Sequence, residues 1–434
     1  MRRRTVLICI ATLGAWINAS AQQPAAISQD ALDRLLARLA EHDARIQELE
    51  ARLAPQSAQA PAHIGETPSV LTRSDGDKKP ASDENTTANF DPHAHMLDLP
   101  GGGPTLQVRG YFDFNFGVGT NSNPLIFPLG APPHSTFQMG EFDLMTSSKL
   151  SDKLTFMSEI VVGSDSSNSM AVDIERYLLA YKASKYFEAS FGRYHTSMGY
   201  YSTAFHHGTW FQSATGRPFM YFFEDSGGLL PVHSVGASLT GLVPGTGSLG
   251  LHWVAEIGNG RSSSKLNAQV QNFYSDRNHK SYNLAAYIAP DWLRGLQVGG
   301  SYYRDRIAPP GLPAAGQTIG SFYAVYVTPT WEFMNEGVLL RNRIEDGGPT
   351  FNTPLAYTQL SRKFGPWRPY FRYQYVNSPP NDPINVYTGR YMGPSVGLRW
   401  DFSEYAAFKL QYNRLDQRSM KPGNGLNAQL GFTF

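Results

Sequence analysis

Cysteine is almost absent from this sequence. Cys9 is the single instance among 434 residues, and it lies in the first apolar run, so the chain beyond residue 21 offers no disulfide and no thiolate ligand or nucleophile. Charge is sparse as well, at 17% of residues, with 37 basic side chains against 36 acidic ones. So even a balance gives no long-range field for nucleic acid. Beyond the N-terminus no run of about twenty apolar residues occurs, which excludes spanning helices. Aromatics are plentiful, 13% of the chain with 23 Tyr and 25 Phe, beside 41 Gly. That mixture suits many strands joined by turns and is poor for helical globules.

Arg2, Arg3 and Arg4 precede an apolar stretch from Val6 to Trp16 and then Ala19-Ser20-Ala21. This is the layout of a secretory signal peptide over 1–21, cleaved after Ala21. Without its three arginines the 37 basic residues become 34, and the net charge of +1 becomes −2. Residues 22–55 hold a heptad seam, in which Leu32, Leu39, Ile46 and Leu53 recur every seven residues and Leu35, His42 and Leu49 follow the first three by three. The spacing predicts a short coiled-coil helix that self-associates, with His42 as a polar layer and Pro55 closing it. Residues 56–104 are rich in Pro, Ser, Thr, Asp, Gly and Ala without periodicity and read as a flexible tether. His93 and His95 within it have no further close ligands, so solvated linker is preferred to a metal site there, and no metal or other cofactor is expected.

From Thr105 to Phe434 one pattern repeats: about ten residues of alternating apolar and polar character, then a turn or loop. In the first copy Leu106, Val108, Phe112, Phe114 and Phe116 alternate with Gln107, Arg109, Asp113 and Asn115. Sixteen such strands are predicted, among them 105–118, 295–306, 319–328, 331–345, 353–364 and 425–434. Short connections such as 183–185, 244–247, 290–292, 364–366 and 403–404 are expected to alternate strictly with longer ones such as 119–135, 195–232, 259–279, 307–318, 378–391 and 416–424. An even strand number, loop parity and a last strand ending in Phe434 predict an all-β fold, a sixteen-stranded antiparallel transmembrane β-barrel over 105–434. Its first and last strands must pair, because hydrocarbon offers no partner to an open edge. Tyr111, Tyr181, Trp253, Trp292, Trp331, Trp367 and Trp400 fall at strand ends and are expected in interfacial girdles.

A barrel of that size is too wide for its own side chains to fill. Its wall is expected to present Arg109, Arg304, Arg343, Arg362, Arg368, Arg372, Arg399 and Lys409, with Asp113, Glu141, Asp143, Glu159, Glu175, Glu256, Asp305 and Asp401. Loop 195–232 is the longest connection, and its aromatics argue against disorder. It is expected to fold inward as a constriction carrying His206, His207, Arg217, Glu224 and Asp225.

The coiled coil before the barrel, Gly-Arg-Tyr-His-Thr-Ser-Met-Gly-Tyr at 192–200, the Arg217-Pro218 pair and Gly-Gly-Leu-Leu-Pro-Val-His-Ser-Val-Gly at 227–236 resemble the phosphate-selective porins O and P and their wider relatives. The resemblance implies a homotrimer of sixteen-stranded barrels that passes solutes through an arginine-lined pore. This chain departs from that family in having Arg217 but no lysine in loop 195–232. The expectation is therefore an outer-membrane porin without catalytic residues, passing small hydrophilic solutes or ions with weak anion preference. Outer-membrane lipid and lipopolysaccharide would surround it, with the coil in the periplasm and no nucleic acid partner. Two other classes stay open: a barrel that anchors the coil toward the cell wall, and an outer-membrane enzyme, for which no spaced catalytic motif occurs.

Overall fold

Alternation of apolar and polar residues is realised as sixteen antiparallel strands that close on themselves. The computed structural model describes residues 96–97, 105–120, 134–164, 168–205, 208–222, 228–261, 273–275, 278–308, 311, 313–385, 388–418 and 421–434. The signal, the coil seam of Leu32, Leu35, Leu39, Ile46, Leu49 and Leu53, and nearly all of the tether lie outside them. From the tether, β1 (Met96–Leu97) pairs with the outset of β2 through Met96 with Gln107 and Leu97 with Leu106.

The barrel strands are β2 (Thr105–Gly119), β3 (Thr136–Lys149), β4 (Leu154–Ser164), β5 (Met170–Ser184), β6 (Phe187–His195), β7 (His233–Leu242), β8 (Leu251–Asn259) and β9 (Lys280–Ile288). They continue with β10 (Leu296–Ile307), β11 (Ala315–Val327), β12 (Trp331–Ile344), β13 (Thr350–Arg362), β14 (Trp367–Asn377), β15 (Arg390–Asp401), β16 (Ala406–Gln417) and β17 (Gly423–Thr433). Each pairs with its sequence neighbour, and β17 pairs with β2 from Gly425 opposite Gly119 to Thr433 opposite Tyr111, which closes the ring. Gly110 and Phe434 extend that seam by exchanging both backbone hydrogen bonds, at 2.9 and 3.0 Å. No sheet edge is left open in the ring. Among the described residues no helix is long and apolar enough to cross a membrane.

Two strands begin three or four residues earlier than the alternation predicts. β11 starts at Ala315 rather than 319 because Gly316 and Gln317 read as loop in sequence, yet the Gln317 amide is buried and donates to Asn342 Oδ1 at 3.0 Å. β13 likewise starts at Thr350. Strict alternation of loop length also fails: connections 165–169 and 345–349 on the long-loop end are shorter than 243–250 on the other. Connection 243–250 is lengthened by a 3-10 turn at Gly247–Leu249 and ends at Gly250 with φ +60.

The outer surface is apolar around its girth, with Phe137, Met170, Val172, Phe191, Leu284, Phe322 and Val396 each more than half exposed. At the short-turn end Trp331, Trp367, Trp400 and Trp292 face outward, Trp367 stacking on Trp400 at 5.3 Å. Tyr111 does not join this girdle. It points inward, is 1% exposed, and lies 4.7 Å from the ring of Phe211.

Candidate functional site

Inside the ring, the chain between β6 and β7 leaves at Thr196 and returns at Val232, whose carbonyl accepts the Thr196 N–H at 2.7 Å. Its described residues between these points follow the inner wall instead of projecting away. It forms one helical turn, α1 (Tyr201–Ala204), and 3-10 turns at Thr209–Phe211 and Phe219–Tyr221. A segment without a strand partner must satisfy its backbone groups elsewhere. Here wall side chains do so.

Glu336 on β12 accepts the N–H of Tyr200 at 2.8 Å and of Tyr201 at 3.0 Å, and the Tyr221 hydroxyl at 2.7 Å. Tyr357 on β13 donates a further hydroxyl to it. Gly199 is required at this crossing: its φ is +92, and an added Cβ would fall on the Tyr221 hydroxyl and the Glu336 carboxylate. Glu332 accepts Ser213 Oγ at 2.8 Å, and Gln374 accepts the Phe219 N–H at 2.7 Å. Near the loop's start Glu256 accepts the Ser197 N–H, and Asn283 donates to the Ser197 carbonyl at 3.1 Å.

Cations on β14 to β16 bind the loop's carbonyls. Arg372 donates to Gly216 O at 2.7 Å, Arg399 to Gln212 O at 2.9 Å, and Lys409 to Ala214 O at 3.1 Å and Gln429 Oε1 at 2.9 Å, with a further bond to Thr209 O. Charge-assisted bonds of this kind are about twice as strong as neutral ones. Apolar packing completes the attachment. Met198, Tyr201, Phe205, Phe219, Met220, Tyr221, Leu229 and Leu230 bury against Tyr303, Ile319, Tyr323, Met334, Val338, Leu340 and Tyr391. The inner wall from β10 to β15 thus carries a hydrophobic core.

The wall from β2 to β6 is ionic. Arg176 pairs with Glu159, and Arg193 lies 3.2 Å from Asp173 and 3.7 Å from Glu175, which His233 approaches at 2.8 Å. Asp113 and Asp143 are buried on the same side. Below the loop a cavity of about 480 Å³ reaches toward the short turns, bounded by Tyr194, Tyr200, Glu256, Tyr287, Gln297 and Tyr323.

Of the residues expected at the constriction, Arg217 is described. It lies half-buried in the loop, with Nε donating to Tyr221 O at 3.0 Å and its guanidinium 5.4 Å over the Tyr201 ring. Burial lowers its pKa, while Tyr201 and then Glu141, Glu175 and Glu159 across the lumen act to raise it. His206, His207, Glu224 and Asp225 lie outside the described residues.

The expected wall arginines divide. Arg109, Arg368, Arg372 and Arg399 point inward, where Arg109 donates to Thr433 Oγ1 at 3.2 Å and Arg368 to Ser361 Oγ and Pro329 O. Arg304, Arg343 and Arg362 are on the outer face, which corrects their assignment to the wall. The cause is that β10 has aromatic and charged residues in both parities: Tyr303 and Asp305 turn in, Tyr302 and Arg304 turn out. Arg362 covers Trp331 and Phe364, its guanidinium 4.8 Å from each ring. The loop-holding roles of Glu336, Glu332, Gln374 and Lys409 have no local signal beyond a polar residue at an inward position.

No family model matches the chain, and no curated sequence does. Solved structures with a similar fold include an anion-selective porin from Comamonas acidovorans, at 13% identity and TM-score 0.53, covering 76% of this chain and 100% of that one. The outer membrane channel DcaP of Acinetobacter baumannii follows at 10% identity and TM-score 0.53, covering 76% and 98%. OmpF of Salmonella typhi, in complex with daunomycin, is similar at 11% identity and TM-score 0.50, covering 76% and 98%. At these identities the likeness is one of fold.

Proposed function

We propose that the chain is an outer-membrane porin, a water-filled channel for passive diffusion of small hydrophilic solutes or ions, narrowed by residues 196–232. The observation that carries this reading is the combination of an apolar outer belt with a charged lumen across which one loop is held by Glu336, Arg372, Arg399 and Lys409. Lipid demands the first and aqueous passage the second. The named function of the fold neighbours agrees with it.

Selectivity follows from where the cations are placed. Arg372 and Arg399, two of the four inward arginines, donate to loop carbonyls together with Lys409, so half of the arginine lining implied by the family resemblance holds the loop. Arg217 faces the field of Glu141, Glu159 and Glu175. A weak anion preference, not a dedicated phosphate channel, fits this balance. The biological unit in this reading is a homotrimer with the heptads of 22–55 in the periplasm, reached after removal of 1–21. Single-channel recording in a planar bilayer tests the channel reading: stepwise, ohmic currents support it, and a folded barrel that gives none refutes it.

A further inference from the structure

The outer face of β10 and β12 bears four arginines near the long-loop end. Arg304 and Arg306 lie on β10, Arg341 and Arg343 on β12, and each is exposed or half-exposed. Strand β11 runs between them and sets two rows: Arg304 opposite Thr318 opposite Arg341, and Arg306 opposite Gly316 opposite Arg343. Each row is arginine, small residue, arginine, spanning ~10 Å across two strand gaps. The floor is shallow, since a Cβ added at Gly316 would meet only the Arg343 carbonyl, at 4.0 Å. One pleat repeat toward the short turns, ~7 Å away, the same face is apolar, with Tyr302 and Leu339 flanking Gly320 and about half exposed.

Charge within the two rows is of one sign. Arg306 forms a bidentate pair with Glu345, both bonds at 2.6 Å, and Asp346 lies near it. Arg304, Arg341 and Arg343 have no ion pair among the described residues, and neither row contains an acidic residue. A guanidinium facing hydrocarbon is costly, and the cost falls toward zero at the interface. These positions therefore mark headgroup depth.

We propose that the patch is a binding site for the phosphorylated headgroup of an outer-leaflet lipid, seated over Thr318 and Gly316 and gripped by Arg304, Arg341 and Arg343. A planar guanidinium matches phosphate with two parallel hydrogen bonds, and two arginines per row offer such forks from either side. A self-complementary contact with a second copy of this chain would oppose arginine to arginine, and the ring contact of a trimer, which sets this face against a different one, is an outcome of the test. The inference rests on the porin reading, with the long loops outside. Arg362 provides an internal control, being outward at the opposite rim but alone and stacked on Trp331 and Phe364.

The full chain, folded in a zwitterionic detergent, is titrated with diphosphoryl lipid A and with its dephosphorylated form, and bound lipid is read by native mass spectrometry. Wild type should prefer the phosphorylated form. R304Q/R341Q/R343Q should bind it about a hundredfold more weakly, R304K/R341K/R343K should lose less, and R362Q should match wild type. Gel mobility before and after heating reports folding, and if the glutamine variant does not fold, the lysine variant and the two lipid forms on wild type decide. Equal retention of both lipid forms, or of lipid A by wild type and the glutamine variant, overturns the proposal. So does a glutamine variant that loses only its oligomeric state, which would assign the patch to contacts between copies. Bilayer conductance of the glutamine variant should be unchanged. A wild type that prefers lipid A but carries no current would sink the channel reading and leave this site standing.

Discussion

The Tyr221 hydroxyl, on the inward loop, donates to the Glu336 carboxylate, on the barrel wall, across 2.7 Å. The same carboxylate also takes two loop N–H groups and the Tyr357 hydroxyl. Replacing Glu336 by Leu would leave these buried donors without an acceptor, a loss of roughly 3–5 kcal/mol in loop attachment. The barrel seam is untouched, so the variant should still fold, and its single-channel current should be larger and noisier than wild type. A quiet current of wild-type size would mean that this carboxylate does not hold the loop.

Selectivity separates two cations, Lys409 expected on the wall and Arg217 expected at the constriction. Lys409 is buried and donates to Thr209 O, Ala214 O and Gln429, so Lys409→Met should loosen the loop and shift the reversal potential in a salt gradient only slightly. Arg217→Gln should lower anion permeability more than Arg261→Gln, whose side chain belongs to connection 260–279. Equal shifts for the Arg217 and Arg261 variants would argue against Arg217 as the selectivity residue.

How much of this was legible in sequence depends on the reach of each signal. Strand number and closure were readable because a period of two repeats locally in every strand, as in Leu426 to Phe434. Facing was readable only where one parity is clearly apolar. On β10, Tyr302-Tyr303-Arg304-Asp305 satisfies either choice, and outward arginines at a rim defeat the rule that charge turns inward. The inward course of the loop followed from its length and aromatics. Its attachment did not, since Glu336, Gln374 and Lys409 meet the loop from strands more than a hundred residues away. Such pairings exist only once the ring has closed.

Alkaline pH should release part of the loop. Burial pushes the Tyr201 phenol up from 10.0 to about 12, with Arg217 and Arg372 acting to lower it. A folded-state pKa above the unfolded one means that the neutral phenol's stability is intact below about pH 10 and is lost as pH rises through about 12. Tyr201→Phe removes this contribution and should flatten part of the decline in denaturant midpoint over that window. An identical decline in both proteins would assign the alkaline sensitivity to other groups.

Oligomeric state tests the reading of the heptads. The full chain should run as a trimer by light scattering in mild detergent, and replacing Leu39 and Ile46 by Asp should loosen the coil while barrel contacts keep the trimer. A wild type that is only monomeric would contradict the trimer, and a variant that falls wholly to monomer would place its stability in the coil.

The most direct measurement is single-channel conductance of a chain shortened between Ser202 and Gly227, beside wild type in the same bilayer. If the loop sets the passage, the shortened barrel, shown to be folded by its heat-modifiable mobility, should conduct more current per channel and admit larger sugars. Unchanged conductance from a folded, shortened barrel would contradict it and put the narrowest point elsewhere on the wall.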